Sequence, residues 1–78
     1  MTGDQLGRIT VNQSILAGKP CIKGTRISVE HVLDHLAGGW SVETLLENYP
    51  NLTSQDVAAC LAYARDVVAG ETVIPTAA

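Results

Sequence analysis

The sequence is poor in the residues that stabilise very small domains. It has no Phe, one Trp and two Tyr, so aromatic side chains contribute little to the core. Its two cysteines, Cys21 and Cys60, form no C-x-x-C motif and lie in unrelated contexts, which predicts two half-buried, reduced thiols and no disulfide framework. A chain of 78 residues buries only about 60% of its unfolded surface. We therefore expect a second copy of the chain to supplement the core in a homodimer.

Long apolar runs are absent as well. No stretch approaches the ~20 apolar residues of a membrane span. The N-terminal segment MTGDQLGR is polar and no apolar run follows it, unlike a secretory signal. We expect a cytoplasmic protein with no membrane partner.

Positive charge is scarce and unevenly placed. The chain has five Lys and Arg against eight Asp and Glu, for a net charge of −3. Residues 1–26 carry a net charge of +3, whereas residues 27–78 carry −6. An acidic chain is not a generic nucleic-acid binder, and the asymmetry predicts separate faces for partners of opposite charge.

Catalytic and metal-binding motifs are missing. Gly18-Lys19 is followed by Pro20, where a P-loop needs Ser or Thr for magnesium. His31 and His35 share one helical face, which fits either a metal site or a solvated polar face, and no metal-binding motif surrounds them. We expect no enzymatic activity, no metal, no cofactor and no small-molecule substrate.

The N-terminal third predicts a short β element. Residues 8–11, RITV, alternate and are β-branched, as in a strand. Cys21-Ile22 and Arg26-Ile27 flank Lys23-Gly24-Thr25, and Gly24 can adopt a positive φ at little steric cost. This pattern predicts a tight hairpin or kinked turn.

Three helices are predicted after this element, with Ser28, Ser41 and Thr53 as their N-caps. Gly38-Gly39, Pro50 and Gly70 end them. Each start carries an apolar N′–N4 pair typical of a hydrophobic staple: Ile27 with Val32, Trp40 with Leu45, and Leu52 with Val57. We expect a mostly α trihelical bundle at residues 8–69, between a flexible N-terminus at 1–7 and a C-terminal tail at 70–78 with an exposed apolar Val73-Ile74-Pro75.

The apolar spacing predicts which side chains face the core. In the last helix the predicted core stripe is Val57, Cys60, Leu61, Ala64 and Val68. The predicted outward positions are Ala58, Ala59, Ala62, Tyr63 and Arg65. Trp40 is predicted to pack in the core, whereas Tyr63, off the stripe, is the better candidate for an interface anchor.

The second and third predicted helices have the layout of a helix-turn-helix. The first turns of the last helix offer Ser54, Gln55 and Asp56, so Gln55 is the candidate for base contact. Phosphate contacts would come from Arg8, Lys19, Lys23 and Arg26. A packing arrangement without a DNA role explains the same layout equally well.

The middle of the chain resembles the small bacterial domain-of-unknown-function family 433. The family pattern is G-K-P-x-I-x-G-T-R-I-x-V, then an apolar helix ending in Gly, then S-x-E-x-L-L-x-x-Y-P-x-L-T-x-x-D-V. The sequence meets it over roughly residues 9–65, at Gly18, Lys19, Pro20, Ile22, Gly24, Thr25, Arg26, Ile27, Val29, Gly39, Glu43, Leu46, Tyr49, Pro50, Leu52, Thr53, Asp56 and Val57. Asn12-Gln13 stands where members often have Asp-Pro.

The resemblance implies a homeodomain-like helix-turn-helix fold, often dimeric, with an N-terminal β element. It also implies an antitoxin of a type II toxin–antitoxin pair that covers the acidic, magnesium-dependent site of a PIN-like ribonuclease and binds its own operator DNA. The candidate contact residues are Arg8, Lys19, Lys23, Arg26, Gln55, Tyr63 and Arg65. A stand-alone DNA-binding transcriptional regulator and a structural dimerisation module are the alternatives.

Overall fold

The computed structural model describes residues 3–70 and 76–77 of the chain. Within these ranges the protein is mostly helical, with a small sheet beside the helices. The helices are α1 (Gly3–Gly7), α2 (Val29–Ala37), α3 (Val42–Asn48) and α4 (Ser54–Val68), and the strands are β1 (Ile9–Val11), β2 (Cys21–Ile22) and β3 (Thr76–Ala77). No helix in this part of the chain has both the length and the apolar character needed to cross a membrane.

The sheet has the strand order β2-β1-β3. β1 pairs antiparallel with β2, with Ile9 opposite Ile22, and parallel with β3, with Thr10 opposite Thr76. Ile9 and Ile22 are both buried, so one face of this pair supplies apolar side chains to the core. The strand at residues 8–11 is confirmed, one residue shorter than expected.

A tight turn follows β2, as the sequence predicted. The backbone N–H of Thr25 donates to the carbonyl of Ile22 at 3.0 Å, and the N–H of Ile22 donates to the carbonyl of Ile27 at 2.9 Å. Gly24 has φ 79°, the left-handed region that disfavours a side chain. The Thr25 hydroxyl donates to the Ile22 carbonyl and accepts from the Ile27 N–H, which locks the turn internally.

All three predicted N-caps are confirmed. Ser28, Ser41 and Thr53 each accept a hydrogen bond from the backbone N–H three residues later, at the starts of α2, α3 and α4. These bonds satisfy donors that a helix start leaves unpaired. Gly39 follows α2 with φ 98° and Gly70 follows α4 with φ 76°, which confirms both predicted stops.

The core lies where β1, β2 and the three longer helices meet. Its fully buried large side chains are those of Ile9, Ile22, Val32, Leu45, Val57 and Cys60. Residues of every predicted staple take part, because Ile27 packs against this cluster and Leu45, Leu52 and Val57 belong to it.

Part of the predicted burial was wrong. In α4, Ala59 and Ala62 are buried although they were predicted to face outward, whereas Leu61 is 47% exposed and Val68 88% exposed. Trp40, predicted to lie in the core, is 36% exposed. The small side chains of Ala59 and Ala62 fit on the face of α4 that packs against the fold, beside Val57 and Cys60, and this leaves Leu61 and Val68 of the predicted stripe on the solvent side.

Two ends of the chain carry structure that the sequence did not predict. Gly3–Gly7 form the short helix α1, which packs beside α4, and Thr76–Ala77 add the strand β3. The apolar Val73-Ile74-Pro75 of the predicted tail lies outside the described residues.

One buried carboxylate links the sheet to the last helix. Oδ2 of Asp56 accepts from the Thr53 N–H at 3.0 Å and so completes the capping box of α4. Oδ1 of the same carboxylate accepts from Nη1 of Arg8 at 3.0 Å, directly before β1. Nε of Arg8 also donates to Asp4 at 3.2 Å, and these hydrogen bonds to Asp56 and then Asp4 raise the pKa of the guanidinium above its ordinary value.

Replacing Asp56 tests this link. We expect Asp56→Ala to lower the free energy of unfolding by about 2 kcal/mol, because it removes both a helix cap and the partner of a half-buried cation. In a domain of this size that loss lowers Tm by about 10 °C, measured by circular dichroism. Asp4→Ala is the matched control, since its exposed contact with the same Arg8 contributes less than about 0.5 kcal/mol. Equal losses in the two variants would contradict the assignment.

Candidate functional site

The seven predicted contact residues do not form one surface. Arg8 and Gln55 lie together where β1 meets the start of α4. Lys19 and Tyr63 both line a groove between α2 and α4, and Arg65 lies in the C-terminal half of α4. Lys23 and Arg26 lie on the tight turn after β2.

Arg8 and Gln55 are engaged with each other. Nη2 of Arg8 donates to Oε1 of Gln55 at 2.7 Å, while Nη1 binds the buried Asp56. The guanidinium thus donates hydrogen bonds to Gln55 and Asp56 of α4 and to Asp4. Because these bonds also hold α4 against β1, both side chains have a structural role that the sequence pattern did not reveal.

Lys19 and Arg65 are also paired. Nζ of Lys19 lies 3.0 Å from Oε1 of Glu30 on α2, and Nη2 of Arg65 lies 2.9 Å from Oδ1 of Asp66. The Lys19 pair is well exposed on both sides, so it adds little to stability. Even so, each cation has an internal counter-charge.

Tyr63 is half-buried and packs against the edge of the core. It also lines an apolar groove between α2 and the C-terminal half of α4, with a volume of about 470 Å³. We call this the α2–α4 groove. The prediction that Tyr63 anchors an interface stays a prediction, and the structure places the residue on a surface that is available for contact.

Lys23 and Arg26 differ from the other three cations. Both are exposed, and among residues 3–70 neither has a salt-bridge partner. Their backbone is held by the hydrogen bonds of the turn and by a bond from the Lys23 N–H to the Arg8 carbonyl at 2.8 Å. We call the residues Lys23 to Arg26 the cationic turn. Within the described ranges it presents two positive charges without a counter-charge, on a backbone fixed by hydrogen bonds beside β1.

The cationic turn is linked to the start of α4 through Arg8. The Lys23 N–H bonds to the Arg8 carbonyl, and the Arg8 side chain holds Gln55 and Asp56. The solvent-facing residues at this end of α4 are Ser54, Gln55 and Ala58, and Gln55 already accepts from Arg8. The first turns of α4 therefore offer few groups for reading bases, whereas the cationic turn offers two cations for carboxylates or phosphates.

The two histidines belong to a ring cluster at the corner between α2 and α3. Nε2 of His31 lies 2.8 Å from the Tyr49 hydroxyl, and Nδ1 of His35 donates to the His31 carbonyl at 2.8 Å. The His35 ring meets the Trp40 ring edge to face, with centroids 4.4 Å apart. In the described part of the chain, no three His, Cys, Asp or Glu side chains come together as metal ligands.

The thiols are more deeply placed than predicted. Cys21 and Cys60 are both free and fully buried, whereas the sequence suggested half-buried thiols. Burial, assisted by the nearby Asp56 charge, raises the pKa of Cys60 to about 12, and burial also raises the pKa of Cys21. A thiol with a raised pKa and no exposure is a poor nucleophile.

The comparisons with known proteins agree with this picture of the fold. Residues 9–64 match the family described as "Protein of unknown function (DUF433)", so the chain belongs to the DUF433 family. This range contains the cationic turn and most of α4.

Two relatives extend the comparison. The chain is 38% identical over 56 residues to the uncharacterized protein y4eO of Sinorhizobium fredii, and the match covers 72% of this chain but 25% of that protein, about a quarter of its length. The fold resembles the crystal structure of a DUF433 member from Anabaena variabilis ATCC 29413, with a TM-score of 0.76 and 28% identity. That match covers 82% of this chain and 63% of the other.

The buried thiols give a direct test of the core. We expect neither cysteine to react with Ellman's reagent at pH 8 in the folded protein, and both to react in denaturant. Rapid labelling of one thiol in native conditions would contradict the burial.

Burial of Cys60 also predicts how stability depends on pH. Because the folded pKa of Cys60 is about 12 and an unfolded thiol titrates near ~8.5, the stability that this group contributes is complete below pH ~8.5 and is lost as pH rises toward 12. The free energy of unfolding, measured by urea titration, should fall over this range.

Proposed function

We propose that this protein is a non-catalytic binding protein, the antitoxin-like component of a type II toxin–antitoxin pair, and that the cationic turn contacts an acidic partner protein. The observation that carries the proposal is the division of the five cations. Arg8, Lys19 and Arg65 have internal counter-charges, whereas Lys23 and Arg26 are exposed on a rigid turn without one in the described ranges.

The chemistry of the turn fits a carboxylate-rich target. An Arg guanidinium forms two parallel hydrogen bonds with a carboxylate, and Lys adds a compact positive charge. A rigid backbone reduces the entropy that is lost when the two side chains are ordered on a partner. The acidic, magnesium-dependent site of a PIN-like ribonuclease is such a target, and the family resemblance supports it.

The test is binding to the product of the neighbouring reading frame. We expect the two proteins to co-purify, and the double variant Lys23→Gln/Arg26→Gln to bind about 10- to 100-fold more weakly by calorimetry, because it leaves partner carboxylates unpaired. Lys19→Gln is the matched control and should change the affinity by less than about threefold, since its exposed pair contributes little.

Two results would overturn the proposal. One is the absence of a complex at micromolar concentrations. The other is a complex that the double variant forms as tightly as the wild type, with both proteins folded by circular dichroism.

A second candidate function is operator binding, as a regulator acting alone. The same observation favours it, because two exposed cations without a counter-charge in the described ranges suit a DNA backbone. The layout of α3, a short turn and α4 supports a helix-turn-helix mode of contact.

Salt dependence distinguishes this second function. If the cationic turn contacts two phosphates per subunit, the logarithm of the binding constant for the upstream DNA should fall with log salt at a slope of about −2 per subunit. Lys23→Gln/Arg26→Gln should bring that slope close to zero in fluorescence anisotropy. No binding at 50 mM salt would refute a DNA-binding role.

A further inference from the structure

The α2–α4 groove is a second surface, formed mainly by helix residues and bordered by Lys19 and Pro20, which precede the cationic turn. Its floor and walls are apolar, formed by Leu33 and Ala37 of α2 and by Tyr63, Val67 and Val68 of α4. Val67 is 54% and Val68 88% exposed. Such a groove, bordered by one helix on each side, has the shape that receives the apolar face of another helix.

The groove lies along the whole of α2 and the C-terminal half of α4. Its lining residues extend from Val29 to Ala37 on α2 and from Tyr63 to Val68 on α4. The apolar side chains of Val67 and Val68 are exposed there.

The rim of the groove carries two carboxylates and one cation. Glu30 and Asp34 stand one turn apart on α2, and Glu30 is paired with Lys19, which also lines the groove, so Asp34 supplies the uncompensated negative charge. Asp34 is exposed and has no side-chain partner in residues 3–70. It also lies in the last turn of α2, where the negative end of the helix dipole is unfavourable for a carboxylate. A cation beside Asp34 would offset both the Asp34 carboxylate and the negative end of the α2 dipole.

A small pocket on the other side of Asp34 suits such a cation. It has a volume of about 260 Å³ and is lined by Asp34, His35, Gly38 and Trp40. The partly exposed Trp40 ring can receive a cation on its face, in addition to the Asp34 carboxylate. Because Asp34 borders both the groove and this pocket, one ligand can fill the groove and place a cation in the pocket.

We propose that the α2–α4 groove and the Asp34–Trp40 pocket together bind a basic amphipathic helix of a partner protein. Its apolar side chains lie in the groove and one Lys or Arg side chain reaches Asp34 and the Trp40 ring. Charge complementarity selects this occupant over a helix from a second copy of the chain, because α1 to α4 hold seven carboxylates and a single cation, Arg65, which is bound to Asp66. Anionic lipid and nucleic acid are disfavoured by the same rim.

The probe is a fluorescein-labelled 14-residue peptide with Leu at i, i+3, i+4 and i+7 spacing and Lys at the other positions. Its counterpart carries Glu in place of each Lys. In fluorescence anisotropy with the full chain at 150 mM salt, we expect saturable binding of the Lys peptide and at least about tenfold weaker binding of the Glu peptide.

Variants separate the two parts of the site. Val68→Lys places a cation against the Lys-rich peptide and removes an apolar contact, so it should weaken binding of the Lys peptide by more than about tenfold, whereas Ala58→Lys, at an exposed site of α4 outside the groove, should not. Asp34→Lys should weaken it about tenfold, and Glu47→Lys, the same charge change on an exposed α3 residue, should have little effect. Val68 is exposed enough that its substitution leaves the fold intact.

Other outcomes overturn the proposal. Equal binding of the Lys and Glu peptides would show that the carboxylates on the rim take no part in recognising the partner. Equal weakening by Val68→Lys and Ala58→Lys, or by Asp34→Lys and Glu47→Lys, would show that net charge alone causes the effect. If sedimentation shows a dimer of the chain alone that Val68→Lys dissociates, the occupant is a second copy. This test uses no toxin, so it is independent of the function proposed for the cationic turn.

Discussion

The carboxylate of Asp56 is the constraint on which the arrangement of this small protein depends. It caps α4 through the Thr53 N–H and binds Arg8 beside β1, so one buried group fixes the last helix to the sheet. The Arg8 carbonyl in turn accepts from the Lys23 N–H, which ties the cationic turn to the same point. A 78-residue chain with few aromatic residues has a small core, and this network of charge-assisted hydrogen bonds helps to fix the orientation of its helices and sheet.

This network also decides which charges are available for binding. Arg8 and Gln55, which are candidates for nucleic-acid contact by sequence, serve the fold instead. Lys23 and Arg26 remain on one surface, and the acidic rim of the α2–α4 groove forms another. The division of charge along the chain thus becomes a division in space, with a basic surface near the sheet and an acidic, apolar surface between the helices.

Local signals predicted the elements well, because each depends on residues that are near in sequence. The N-caps Ser28, Ser41 and Thr53 and the turn at Gly24 are properties of four or five adjacent residues. The pairing of Arg8 with Asp56 joins residues 48 apart, and no local pattern indicates it.

The burial of α4 was predicted less well for a similar reason. The apolar spacing of α4 is compatible with burial of more than one face of the helix. Which face is buried depends on how closely Ala59 and Ala62 approach the rest of the fold.

The central claim is that the two unpaired cations of the turn form the contact with a partner protein. The most direct measurement is an NMR titration of the ¹⁵N-labelled chain with the product of the neighbouring reading frame. The account predicts that the largest amide shifts fall on the cationic turn from Lys23 to Arg26 and the adjoining end of β1. A complex that leaves those amides unshifted would contradict it.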